Sequence, residues 1–121
     1  MNHQDESEEI SSKIDQLATE FEKCRKTLIA IGDESRQGLI LAMMKMKKCS
    51  GARVGEITEA THLSRPAVSH HLQILKDAGI VKVRKDGTMN YYYFDTDTMS
   101  LDSLIKVLTD AAGVMRMHKI E

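Results

Sequence analysis

Residues 63–81 read Leu63-Ser64-Arg65-Pro66-Ala67-Val68-Ser69-His70-His71-Leu72-Gln73-Ile74-Leu75-Lys76-Asp77-Ala78-Gly79-Ile80-Val81, and this stretch decides the fold. Ser64 is a good N-cap, and Pro66 falls in the first turn, where a missing N–H breaks no hydrogen bond. Val68, Leu72 and Leu75, with Ala67 and Ala78, recur at helical spacing as one apolar stripe, and Gly79 terminates the helix. The opposite face carries Arg65, Ser69, His70, Gln73 and Lys76. A helix built this way is buried on one side and offers hydrogen-bonding, positively charged groups on the other.

Upstream, residues 54–60 predict a short helix with Val54, Ile57 and Ala60 on one side, joined to the first by Thr61-His62-Leu63. Downstream, Val81 and Val83 alternate with Lys82 and Arg84, Asp86-Gly87 supplies a hairpin turn, and Met89–Phe94 returns as a strand. Two short helices joined by a tight turn and followed by a hairpin are the parts of a winged helix-turn-helix. Tyr91, Tyr92, Tyr93 and Phe94 lie in a small sheet with little else to pack, so they read as core and rim rather than a base-stacking platform.

Before this unit, Asp33-Glu34-Ser35 caps a helix with Leu39, Ile40, Met43, Met44 and Met46 on its apolar side, the methionines serving as core filler. Further upstream, Ile10, Ile14, Leu17, Phe21, Cys24, Leu28 and Ile31 alternate in steps of four and three. They predict one long helix ending near Gly32, with an apolar seam narrow enough to suit another helix. That seam serves packing within the subunit or a dimer interface, and the spacing does not decide between them. After the hairpin, Thr96, Asp97, Thr98 and Ser100 offer caps for a last helix with Leu101, Leu104, Ile105, Leu108, Ala112 and Met115 on one face.

The chain has 121 residues, 41% hydrophobic and 29% charged, which fits a single soluble globular domain and excludes wholesale disorder. The absence of a long apolar run or of a basic-then-apolar start implies no membrane partner and a cytoplasmic protein. The net charge of −1 hides a division. Residues 1–23 hold two Lys against seven Asp/Glu, and 91–121 three Lys/Arg against five acids. Between them, 24–52 carries six Lys/Arg against two acids and 53–90 six against four. A basic middle between acidic ends is compatible with a nucleic-acid face.

The residues quoted for 63–81 resemble the recognition helix of the ArsR/SmtB family of bacterial transcriptional regulators. Leu28-Ile29-Ala30-Ile31-Gly32-Asp33-Glu34-Ser35-Arg36 is similar to the family's helix junction ahead of the winged helix, and Arg84-Lys85-Asp86-Gly87 with Tyr91-Tyr92 to its wing. The resemblance covers 28–94 well and the end helices by pattern alone. It implies a mainly α fold with a small β-hairpin wing, in the order α-α-α-α-β-β-α, and a homodimer that binds an inverted-repeat operator in double-stranded DNA, usually repressing. Residues 33–95 would be the core of a single domain spanning 1–121, with 1–32 and 96–121 as dimerisation helices. The dimer interface would then draw on Ile14, Leu17, Phe21, Cys24, Leu28, Leu104, Leu108 and Met115. On the DNA side, the helix amide end at Ser64 and the hydroxyl of Ser69 suit phosphate, Arg65, His70 and Gln73 reach base edges, and Lys76, Arg84 and Lys85 add positive charge beside the helix and at the wing.

The chain departs from the metal-sensing members. Matching Val54-x-Glu56-Ile57 to their motif puts Arg53 and Gly55 where thiolates would stand, and neither binds a metal. The only histidine after residue 71 is His118. No metal or other cofactor is therefore expected, which leaves an unknown small-molecule effector, a protein partner or no effector. Cys24 and Cys49 lack the spacing of a zinc site, but Lys47 and Lys48 beside Cys49 keep a thiol-based redox switch as an alternative. Another alternative is a winged helix turned protein-interaction module, against which the basic outer face speaks. Nothing reads as an enzyme: there is no Gly-rich phosphate loop, and adjacent His70 and His71 point in different directions on a helix.

Overall fold

The computed structural model describes residues 3–117, so His118 lies outside the described residues. Their order is α1 (His3–Lys23), α2 (Arg25–Gly32), α3 (Glu34–Met46), α4 (Val54–Glu59), α5 (Arg65–Asp77), β1 (Val81–Asp86), β2 (Met89–Phe94) and α6 (Met99–Met117). The long first helix expected up to Gly32 is two helices. Cys24 breaks it with φ −92° and ψ 0°, and its N–H bonds Phe21 O at 3.0 Å, three residues back instead of four. This tighter step shifts the register of α2, so Thr27 and Ala30 turn into the protein. Neither Gly nor Pro marks the break.

The other boundaries arise from local chemistry. Asp33 caps α3 by accepting the Arg36 N–H at 3.0 Å, and Ser64 caps α5 by accepting the Ala67 N–H at 3.3 Å. Past α5, Gly79 takes φ +77°, a left-handed conformation that costs glycine no Cβ clash. The strands pair antiparallel from Val81 opposite Phe94 to Asp86 opposite Met89. The two loop residues are Gly87 and Thr88, one place later than the expected Asp86-Gly87, with positive φ at Gly87 alone, as in a type II′ turn. A third element joins the hairpin: Ala52 and Tyr92 exchange backbone hydrogen bonds, both 2.8 Å long.

Two clusters hold these pieces. In the larger, Leu39, Ile57, Val68, Leu72, Leu75 and Val81 are fully buried, with Tyr92 and Phe94 packed against them as the sequence predicted. Burial at this level contributes roughly 1.5–3 kcal/mol for each large aliphatic side chain. In the smaller, Cys24, Leu104 and Val107 are buried between α1, α2 and α6, with Leu17, Leu28 and Ile31 against them. The face of α6 that packs inward is thus centred on Leu104 and Val107, and Val107 was not among the apolar residues grouped from the sequence. Leu101, Ile105, Leu108 and Met115, grouped with Leu104 from the sequence, are exposed.

Candidate nucleic-acid interface

α4, the Ala60–Ser64 turn and α5 make the helix-turn-helix, and α5 is fixed because Val68, Leu72 and Leu75 are fully buried beneath it. With that side committed, Ser64, Arg65, Ser69, His70, Gln73 and Lys76 are all exposed, as are Arg84 and Lys85 on the hairpin. The start of α5 and the wing turn come together: Arg65, Arg53, Thr88 and Asn90 line one groove of about 440 Å³. Glu56 and Glu59 line it as well, but Glu56 is occupied by the Lys48 ammonium and the Arg53 N–H, and these partners hold its carboxyl below the usual range.

Several of these side chains are already oriented. Gln73 donates to Asp77 Oδ1 at 2.9 Å, which lays its amide along the outer face of α5. Arg84 donates to Ser50 O at 3.2 Å, and its guanidinium lies 4.5 Å from the Tyr91 ring centroid. This places one wing cation against the 47–52 turn, a contact that sequence spacing does not reveal.

Sequence reasoning also missed Arg36, which supports the site from below. It is buried, its Nε donates to Ala30 O at 2.7 Å, and its Nη2 donates to Ile29 O at 2.9 Å. Its Nη1 faces His71 Nδ1 at 3.3 Å, so α5 is tied to the end of α2. Arg36 donates there, which requires a neutral imidazole accepting at Nδ1. Burial is the largest influence on His71 and lowers its pKa. The Asp33 carboxylate opposes that shift, while the Arg36 and His70 charges add to it.

A histidine with a lowered folded pKa binds fewer protons folded than unfolded. Its contribution is complete above the ordinary value of about 6.5 and is lost as pH falls through that value toward the folded one. Lowering the pH from about 7.5 to 5.5 is therefore expected to reduce the melting temperature, and His71→Gln, which keeps an acceptor for Arg36, is expected to flatten that slope. Identical slopes in the two proteins, measured by thermal unfolding at fixed salt, would contradict the assignment. Asp33, whose carboxyl is lowered chiefly by the Arg36 N–H, acts only at more acidic pH.

The thiols lie apart in the fold. Cys24 is buried against Leu104 and Val107, whereas Cys49 is exposed on the turn after α3; both are free. Among the described residues no group of three or more His, Cys, Asp or Glu could hold a metal ion, and no helix is long and apolar enough to cross a membrane.

A capped recognition helix on a buried base, a helix-turn-helix and a two-stranded wing define a winged-helix DNA-binding protein. Residues 33–83 match the family model described as bacterial regulatory protein, arsR family. The chain is 37% identical over 91 residues to the uncharacterized HTH-type transcriptional regulator MJ1325 of Methanocaldococcus jannaschii, covering 74% of this chain and 96% of that one. It is 33% identical over 75 residues to the transcriptional repressor SdpR of Bacillus subtilis, covering 62% and 78%. Among solved structures, it resembles the homodimeric winged helix-turn-helix DNA-binding domain of a possible ArsR-family transcriptional regulator from Mycobacterium bovis, with a TM-score of 0.55 and 28% identity over 77% of this chain and 83% of that one. The chain belongs to the ArsR family, and it is a transcriptional regulator rather than an enzyme.

Proposed function

We propose that this protein is a homodimeric repressor that binds an inverted-repeat operator, with α5 in the major groove and the hairpin on the flanking backbone. The observation that carries the reading is that every polar residue singled out on α5 and the wing is exposed while Val68, Leu72 and Leu75 on the opposite side of α5 are fully buried. In this reading Arg65, His70 and Gln73 read base edges, Ser64, Ser69 and Lys76 hold phosphates, and Arg84 and Lys85 meet the backbone beside the site. Residues 33–95 are the DNA-binding core, and 1–32 with 96–121 form the dimerisation layer. SdpR, named a repressor, supports the repressor reading, and the homodimeric Mycobacterium bovis domain supports the dimer.

The test begins with operator selection from random duplexes by the purified protein. Gln73→Ala is then expected to cost roughly 1–3 kcal/mol on the selected operator and little on a scrambled duplex. Arg84→Ala is expected to weaken both duplexes alike and to lower the salt slope by about one unit. Titrations of each variant on both duplexes at several salt concentrations give the answer. Equal losses for Gln73→Ala on the two duplexes would remove base reading from that residue, and no effect of either variant would move the DNA face elsewhere.

A further inference from the structure

Behind the wing, the last turn of α3, the turn over residues 47–52 and β2 border an open cavity of about 380 Å³. Met43, Met44, Tyr92 and Phe94 form its apolar walls, and the exposed Lys47 and Cys49 border it. None of these six side chains belongs to the face assigned to DNA. The volume falls in the range of small-molecule sites, roughly 300–1,000 Å³, which are mostly apolar with a few placed polar groups.

Two lysines, Lys47 and Lys48, line this cavity, and they differ in their partners. Lys48 pairs with Glu56, whereas Lys47 forms no ion pair among the described residues. Lys47 is also the one described non-glycine residue with positive φ, at φ 54° and ψ 33°. That conformation suits glycine or asparagine, so the fold accepts an unfavourable backbone here and keeps an unpaired ammonium beside an apolar space.

We propose that this cavity binds a small organic anion, an aromatic or alkyl body with a single carboxylate. The body packs between the methionines and the rings of Tyr92 and Phe94, and the carboxylate meets Lys47. The cavity wall also leads to the wing. Tyr92 is hydrogen-bonded to Ala52 through both backbone groups, and the neighbours of these residues and of Cys49, Tyr91 and Ser50, are the groups that hold Arg84. An occupant that displaces the turn or β2 therefore changes where Arg84 points. This regulatory consequence rests on the DNA-binding reading; the binding site itself does not.

The test uses the full chain with naphthalene-2-carboxylate, followed by its own fluorescence, and the uncharged naphthalene-2-carboxamide. The carboxylate is expected to bind saturably and about tenfold more tightly than the amide, with methionine methyl shifts at Met43 and Met44. Lys47→Gly removes the charge at a position where glycine is at ease, so it is expected to erase the preference without lowering the melting temperature. No saturable binding at millimolar probe, equal binding of acid and amide, a preference that survives Lys47→Gly, or methyl shifts elsewhere would each overturn the site. Saturating carboxylate is expected to change the affinity for a random duplex by about threefold or more in the wild type and not in Arg84→Ala. Bound probe with unchanged duplex affinity would overturn the link to the wing. A chain that binds the probe and no duplex at all would instead overturn the DNA-binding reading.

Discussion

Arg36→Leu is expected to lower the unfolding free energy by about 2–4 kcal/mol, because each buried acceptor that loses its donor costs roughly 1–3 kcal/mol. The side chain is only 7% exposed and none of its polar contacts is replaceable by leucine. The last carbonyls of any helix lack partners within it, and here Ile29 O and Ala30 O at the end of α2 accept from the guanidinium at 2.9 and 2.7 Å. Truncation strands both oxygens and takes the donor from His71 Nδ1, so the loss is felt on α2 and on the inner flank of α5 together. Lysine should restore little, because one ammonium cannot span two carbonyls and an imidazole as a planar fork does. Chemical denaturation of wild type, Arg36→Leu and Arg36→Lys measures this directly. A loss below about 1 kcal/mol for leucine would show that the two carbonyls find other partners.

How much of this was legible in the sequence depended on the range of the interaction. The caps at Asp33 and Ser64, the stripe of Val68, Leu72 and Leu75, and the glycine after α5 are local signals, and the corresponding elements stand where they were expected. Arg36 was not legible. Its role depends on a turn between α2 and α3 and on α5, which lies 35 residues further on at His71, and no spacing rule encodes that meeting. The division at Cys24 was hidden for a related reason. An unbroken heptad is the simplest reading of Ile10 to Ile31, whereas the tertiary structure needs Ala30 in one core and Cys24 in another. Likewise Ala52 joins the hairpin as a single bridging residue, too short to leave a strand pattern. Of the candidate DNA contacts, exposure comes directly from the helix period, while the orientation of Gln73 by Asp77 and of Arg84 by Ser50 and Tyr91 required the fold.

The split of the seam gives the second large effect. Leu17, Cys24 and Leu28 of the expected interface, with Leu104, are used inside the subunit, where they join α1 and α2 to α6. Ile14 and Phe21 are 40% and 46% exposed, and Leu108 and Met115 are 48% and 74% exposed. These four do not scatter around their helices. On α1 the groove to α6 is bordered on one flank by Lys13, Gln16 and Glu20, and Lys106 of α6 reaches Glu20 at 3.7 Å from that same side. Helical periodicity puts Ile14 and Phe21 on the other flank of α1, and Leu108 and Met115 on the matching flank of α6. An apolar strip formed by both end helices is suited to cover an identical strip on a second copy about a two-fold axis. We therefore expect Phe21→Asp to yield a monomer at micromolar concentration. Since Phe21 is almost half exposed within the subunit, this variant should keep its own fold, as its circular dichroism would report. In the proposed dimer two recognition helices bind adjacent half-sites, and loss of the dimer would separate them. The second half-site then no longer benefits from an effective concentration near millimolar, and operator affinity should fall by about a hundredfold or more while a single half-site is bound as before. Light scattering and titrations on full and half operators test both parts. A monomeric wild type, or a Phe21→Asp protein that remains dimeric and binds the full operator normally, would place the interface away from this strip.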